Sequence, residues 1–407
     1  MKEKILNLNQ AKIPVIYEYS GALPIISLKM IFKNAGQVSQ NKSGLANLLA
    51  KLLNEGSKKQ GSSSFNRALE IKAIELSITS TSESMIFEIE CLKEHFAFAL
   101  KMLIELLNEP NFDEEILAML KAKILGKIAA KKSDFDYQAS LKLSSLLFAN
   151  TPFASAAIGD EASINDISLD DLRAFYEKRI TLNNAFIVFG GDVGFEELNL
   201  DGLNLKSGEV ANIQKFCVNE NLANISEQRE SKQAFIYFGS PFNVEKNERY
   251  KASVAMFVLG SSGFGSRLLE QIRVKRGLAY SAYAHGNFLL YRSFLSGYLQ
   301  TKNESKDEAI ALVSEIFKNF VKNGISADEL NGAKKFLLGN EPLSKETFFK
   351  RLNIAQQEHY MGYGLGYFDE NLKKIAKLNL KDINAFISAH SEICSLSFAS
   401  IYGKESK

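Results

Sequence analysis

The chain has 407 residues, room for two domains of about 200 each. Its 49 basic and 47 acidic residues leave a net charge of +2, with no basic block of the kind that marks nucleic-acid or membrane-surface binding. No uncharged apolar run approaches the roughly 18 residues that span a bilayer. The N-terminal stretch MKEKILNLNQAKIPVIYEYS lacks the apolar core and small-residue cleavage site of a secretory signal. Cys91, Cys217 and Cys394 are odd in number, far apart and free of any Cys-x-x-Cys, so they read as reduced thiols. The expected compartment is therefore the cytoplasm; a periplasmic location would require a leader already removed.

In chain order, 14–18 and 25–33 are dense in β-branched and aromatic residues and predict strands. Leu45, Leu48, Leu49, Leu52 and Leu53 recur at helical spacing and predict a helix over about 43–55, with Ser43 as its cap and Gly56 as its stop. A Ser-rich turn at 61–64 leads to a helix over about 65–73, then to a hairpin from 74–80 and 84–92 in which polar and apolar residues alternate. Helices are expected at about 93–108, 113–132, 136–148 and 168–180, and a strand at 185–190 closes this half.

The second half repeats the first. The stretch from Phe112 to Gly126, with Leu117, Lys121 and Leu125, returns 213 residues later as Ile325 to Gly339, with Leu330, Lys334 and Leu338. Leu169-Asp170-Asp171-Leu172-Arg173-Ala174-Phe175 returns after 211 residues as Leu380-Lys381-Asp382-Ile383-Asn384-Ala385-Phe386. A single repeat of this length means two copies of one α+β domain. The expected division is an N-terminal domain over 1–204, a polar, aperiodic linker over 205–231, and a C-terminal domain over 232–407.

The frame of the 43–55 helix, a Gly44-Leu45-Ala46 opening followed by a Leu-rich turn and Gly56-Ser57-Lys58-Lys59, resembles the active-site helix of the pitrilysin or insulinase-type zinc peptidases, the inverzincins. That family carries His-x-x-Glu-His here, two zinc-binding imidazoles one turn apart with the general base between them. This chain has Asn47, Ala50 and Lys51 at those positions. The family's third ligand, a Glu, follows a phrase like Asn108-Glu109-Pro110-Asn111-Phe112-Asp113-Glu114-Glu115 and should fall at Gly126 or Lys127. The resemblance thus implies a degenerate site with no catalytic residue intact and no zinc bound by this chain.

Arg267-Leu268-Leu269-Glu270-Gln271-Ile272-Arg273-Val274-Lys275-Arg276-Gly277-Leu278-Ala279-Tyr280-Ser281 is similar, almost letter for letter, to the C-terminal-domain motif of the same family. Through that resemblance Arg273 and Tyr280 are substrate-binding residues that hold the peptide backbone and stabilise the tetrahedral oxyanion, roles suited to a guanidinium fork and a phenol. Read without the resemblance, Arg273 is a solvated helix charge and Tyr280 a buried strand aromatic, as are Tyr283, Phe288, Tyr291 and Phe294. The preceding Gly260-Ser261-Ser262-Gly263-Phe264-Gly265-Ser266-Arg267 approaches a phosphate-binding loop but has Ser266 where that motif requires Lys. His95, His285, His359 and His390 show no metal-ligand spacing.

The resemblance spans about residues 13 to 403. It implies two homologous domains, each an antiparallel-rich sheet with packed helices, together forming half of a clam-shell chamber. It further implies a non-catalytic subunit that supplies Arg273 and Tyr280 to a zinc-bearing homologous partner in a heterodimer that hydrolyses peptides, with zinc in the partner. A peptide-binding or structural homodimer, and an enzyme built on other residues, are the competing readings. No nucleic-acid or membrane partner is expected.

Overall fold

The computed structural model describes residues 1–403 except 211, 220–222 and 264. Their α+β fold contains two mainly antiparallel sheets, each with helices packed on it, and divides into two compact units. Unit 1 comprises 1–129, 155–213 and 344–365; unit 2 comprises 130–154, 214–343 and 366–407. Each unit thus takes a segment from the other half of the sequence, whereas the sequence suggested one contiguous domain after another.

The chain begins with the antiparallel pair β1 (Lys2–Leu8) and β2 (Ala11–Tyr19), followed by β3 (Ile25–Lys33). Helices α1 (Leu45–Leu53) and α2 (Gly61–Glu70) precede the hairpin β4 (Glu75–Ser80) and β5 (Ser84–Leu92). Next come α3 (Phe96–Asn108), α4 (Glu114–Lys131), α5 (Phe135–Leu147), α6 (Glu161–Asp166), α7 (Leu169–Arg179) and β6 (Ala185–Gly191). The first sheet runs β1-β2-β6-β3-β5-β4, with β2 parallel to β6. Ser43 does not cap α1: its hydroxyl donates to Ala156 O and meets Ser155 Oγ, while Gly44 at φ +85° is the capping residue. A Cβ there would sit 2.8 Å from Ile158 O, so only glycine fits this turn.

The second half supplies β7 (Asn224–Gln228), β8 (Gln233–Pro241), α8 (Arg249–Met256), the short α9 (Arg267–Leu269), β9 (Ala279–Phe288) and β10 (Ser293–Lys302). After these come α10 (Lys306–Asn323), α11 (Ala327–Gly339), α12 (Glu341–Lys345), α13 (Phe348–Tyr360), α14 (Tyr367–Lys377), α15 (Leu380–Ala389) and β11 (Ser397–Tyr402). Their sheet runs β7-β11-β8-β10-β9, with β7 parallel to β11, the order of the first sheet without its extra β1. Strand β7 lies inside the stretch read as linker. Its five polar-rich residues make it an edge strand that buries too little to announce itself in sequence.

The repeat extends to individual bonds. Lys121 Nζ donates to Asn165 O at 2.9 Å, and Lys334 Nζ donates to Ala376 O at 3.0 Å. Ser168 caps α7 opposite Asp171, and Asn379 caps α15 opposite Asp382.

Helices α5 and α13 are equivalent elements, and they are exchanged. α13 lies on β2 and β6 of unit 1, where Phe348, Leu352 and Ala355 cover Ile16, Ile31, Phe186 and Val188. This second cover explains why β6 is buried along its whole length, on both faces. α5 lies on β8 and β11 of unit 2. Gly239 of β8 admits it, since a Cβ there would fall 2.7 Å from Leu147 Cδ1. The opposite face of each sheet packs on its own helices in a large apolar core.

Candidate functional site

The five positions expected to have carried metal chemistry lie on α1 and α4. The leucine stripe of α1 points into the unit 1 core, with Leu45, Leu48, Leu49, Leu52 and Leu53 all buried. That leaves Asn47 and Lys51 half-buried on the other side of the helix, with Ala50 buried between them. Asn47 Oδ1 is buried and, among the described residues, accepts no hydrogen bond. Burial lowers the pKa of the Lys51 ammonium, and the charge of Lys127 lowers it further. Lys127 is the residue on α4 whose charge reaches Lys51. Gly126 is exposed, and a Cβ there would touch nothing within 4 Å.

A carboxamide, a methyl group and two ammonium groups do not fit a divalent zinc ion, which needs thiolate, neutral imidazole or carboxylate donors. Among the described residues no group of three or more His, Cys, Asp or Glu could hold a metal ion.

One further side chain acts beside α1. Asn54, just after the helix, donates from Nδ2 to Ala50 O at 2.6 Å and to Ile78 O at 2.7 Å, and its Oδ1 accepts from Ile78 N at 3.0 Å. Its carboxamide pairs with the outer edge of β4 as a neighbouring backbone would. Local pattern does not reveal this pairing, because Ile78 lies 24 residues further along the chain.

Arg273 and Tyr280 come together in unit 2. Arg273 lies in a π-helical turn, Glu270–Val274, that continues α9. Gly277, at φ +62°, then reverses the chain, with its N–H bonded to Arg273 O at 3.0 Å and Leu278 N bonded to Ile272 O at 2.9 Å. The reversal starts β9 beneath the turn and places the Arg273 guanidinium 4.5 Å from the Tyr280 ring centroid. Tyr280 is 80% exposed, so it is not the buried strand aromatic of the reading made without the resemblance. Tyr283 is exposed too, while Tyr291 is buried. In the glycine-rich loop Ser266 is fully buried and its Oγ accepts from Leu269 N, so it caps α9; Phe264 of that loop lies outside the described residues.

Beyond Tyr280 the same sheet face carries a phenol cluster that sequence reading did not assemble. Tyr237 of β8 donates to both oxygens of Asp136 at 3.3 Å, and its ring lies 4.8 Å from that of Tyr298 on β10. Tyr283 of β9 lies 5.5 Å from Tyr298. Burial raises the pKa values of all three phenols, and Asp136 raises them further. Outward parity on adjacent strands was a readable signal for the tyrosines. Asp136 was hidden because it arrives on the exchanged helix α5.

Comparison with known proteins fits this geometry. Residues 29–161 match the family described as insulinase (peptidase family M16), and residues 166–337 match the peptidase M16 inactive domain. A Helicobacter pylori protein described as a non-peptidase homolog, YmxG, is 43% identical over 98% of this chain and 94% of its own length. The chain belongs to peptidase family M16. An uncharacterized zinc protease of Streptomyces coelicolor is 21% identical over 84% of this chain and 77% of its own. The peptidase M16 inactive domain structure from Pseudomonas fluorescens superposes with a TM-score of 0.90 at 24% identity, covering all of both chains. Within M16, then, this chain keeps the two-domain fold, with Asn47, Ala50 and Lys51 on α1 and Gly126 and Lys127 on α4 at the positions where zinc ligands and a base were expected. Among the described residues no helix is long and apolar enough to cross a membrane.

Proposed function

We propose that this M16 chain is the non-catalytic subunit of a heteromeric zinc peptidase, and that it supplies Arg273 and Tyr280 to the site of a zinc-bearing homologous partner. The observation that carries this reading is the contrast between its two ends. The metal-binding positions hold Asn47, Ala50 and Lys51, whereas Arg273 and an 80%-exposed Tyr280 are stacked at 4.5 Å. An exposed phenol and a guanidinium are suitable donors to a peptide carbonyl and to the oxygen that becomes negative during hydrolysis. The name of the Helicobacter pylori relative, a non-peptidase homolog, agrees with a chain that does not cleave peptides alone. Zinc is assigned to the partner, and the three free cysteines favour a reducing compartment such as the cytoplasm.

The test is the peptidase rate of the chain mixed with zinc-bearing M16 homologues from the same cell. Arg273→Ala and Tyr280→Phe should leave the complex assembled and lower its turnover by roughly 10²–10³, the usual effect of removing one such donor. Unchanged turnover in either variant overturns the residue assignment. Failure to form any active complex replaces the reading with a binding-only homodimer.

A further inference from the structure

Unit 1 holds a cavity of about 450 Å³ at the end of β3, on the sheet face crossed by α13. Its walls come from Lys12 of β2, Lys33 of β3, Phe186 of β6, His359 of α13 and the turn at Asn183 and Asn184. No carboxylate is part of this lining. The Phe186 ring is the common surface: the His359 ring lies 4.7 Å from it and Lys33 Nζ lies 5.2 Å from its centroid. Lys33 Nζ is also 5.5 Å from the Tyr360 ring. The asparagine turn is braced, because Asn184 Nδ2 donates to Thr181 Oγ1 and Glu209 O and Asn183 Nδ2 donates to Gly208 O.

Three groups able to carry positive charge therefore converge on one cavity. Among the described residues neither Lys12 nor Lys33 forms an ion pair. Lys33 is half-buried, and burial lowers its pKa. Burial and Lys33 lower that of His359, opposed by Glu3 of β1, whose carboxylate reaches the ring at 3.7 Å. A half-buried ammonium without a counter-charge is unfavourable, and the same low-dielectric setting strengthens its attraction for an anion that enters.

We propose that this cavity binds an oxyanion, a carboxylate or a phosphate group, held by Lys33 and Lys12 beside the His359 ring. The imidazole offers an N–H to the same anion. The proposal is independent of Arg273 and Tyr280, which belong to unit 2.

Calorimetric titration of the full chain tests it with three probes: inorganic phosphate, N-acetylphenylalanine and the neutral amide of the latter. Saturable binding of at least one oxyanion, with none of the amide, is expected, together with a shift of the His359 ring resonances. A preference for N-acetylphenylalanine would identify a peptide C-terminus as the source, and a preference for phosphate a phosphate-bearing ligand. Lys33→Met should weaken binding at least about tenfold and Lys33→Arg should retain it. If Lys33→Met does not fold, the exposed Lys12→Met should still weaken binding several-fold. The proposal is overturned if neither oxyanion binds the folded wild-type chain, or if the folded methionine variants bind as well as wild type.

Discussion

The two repeats share strand order, capping residues and even the lysine bond from Lys121 to Asn165 O and from Lys334 to Ala376 O. They differ where helices meet the outer edges of their sheets. In unit 1 that edge is β4, paired at Ile78 by Asn54. In unit 2 it is β9, which the backbone approaches closely at Gly260, where a Cβ would fall 2.6 Å from Ala284 N. The helix-crossed faces diverge as well. That of unit 1 mixes an apolar cluster with the Lys29–Glu88 ion pair at 2.9 Å, while that of unit 2 displays Tyr237, Tyr283 and Tyr298. The lesson is that the fold rests on positions that never faced the chemistry. The buried leucine stripe of α1 forms the helix with Asn47, Ala50 and Lys51 on its other side.

The largest expected effect breaks the comparison at the exchanged helices. A fragment of residues 1–204 lacks α13 and exposes Ile16, Ile31, Phe186 and Val188. It should show no cooperative unfolding transition by circular dichroism and should aggregate. In the intact chain Leu352→Ala, which opens the same contact, should cost about 2–5 kcal/mol in chemical denaturation. A fragment that unfolds cooperatively would show that the apolar cover is dispensable.

A smaller effect sharpens the contrast at the degenerate site. Lys51 is held below its usual pKa by burial and by Lys127, so its charged form is disfavoured in the folded chain. Its penalty is fully present below the folded pKa and disappears as pH rises past the unfolded value of about 10.4. Lys51→Met should therefore stabilise the protein near neutral pH by up to about 1 kcal/mol, measured by the denaturation midpoint. Destabilisation would mean that Lys51 makes a favourable contact that outweighs burial and the Lys127 charge.

The smallest effect concerns the matched helix caps. Hydrogen bonds from Lys42 and Ser168 depress the pKa of Asp171 to about 2, whereas the equivalent cap in unit 2 uses Asn379. A depressed carboxyl contributes stability above its unfolded pKa of about 3.9, and that contribution is lost as pH falls through about 2. Lys42→Met should flatten the loss of stability between pH 4 and pH 2. An acid profile unchanged from wild type would remove Lys42 from the account.

Sequence alone revealed what local pattern encodes. The five leucines of α1, the alternation of β4 and β5 and the recurrence at 211 and 213 residues placed the helix, the hairpin and the two domains. It missed β1 and β7, polar-rich edge strands with little to bury. It also missed the exchange of α5 and α13, because nothing in an amphipathic helix names the distant sheet it covers. Within the candidate site the replaced positions were legible one by one, and so was the Arg273–Tyr280 spacing. The charge of Lys127 acting on Lys51, the clasp of Asn54 on Ile78 and the arrival of Asp136 beside three phenols depend on tertiary structure that joins elements far apart in the chain.

The exchange of α5 and α13 also sets the order in which the protein can be made. On the ribosome the first sheet is finished when β6 emerges at Gly191, yet its outer cover, α13, begins only at Phe348. More than a hundred further residues must be synthesised while Ile16, Ile31, Phe186 and Val188 stay uncovered, and α5 waits meanwhile for strands not yet translated. Neither half can complete its fold vectorially. The last steps for both depend on contacts of very long sequence separation, which makes folding slow and leaves the nascent chain dependent on whatever shields that apolar face until translation is nearly over.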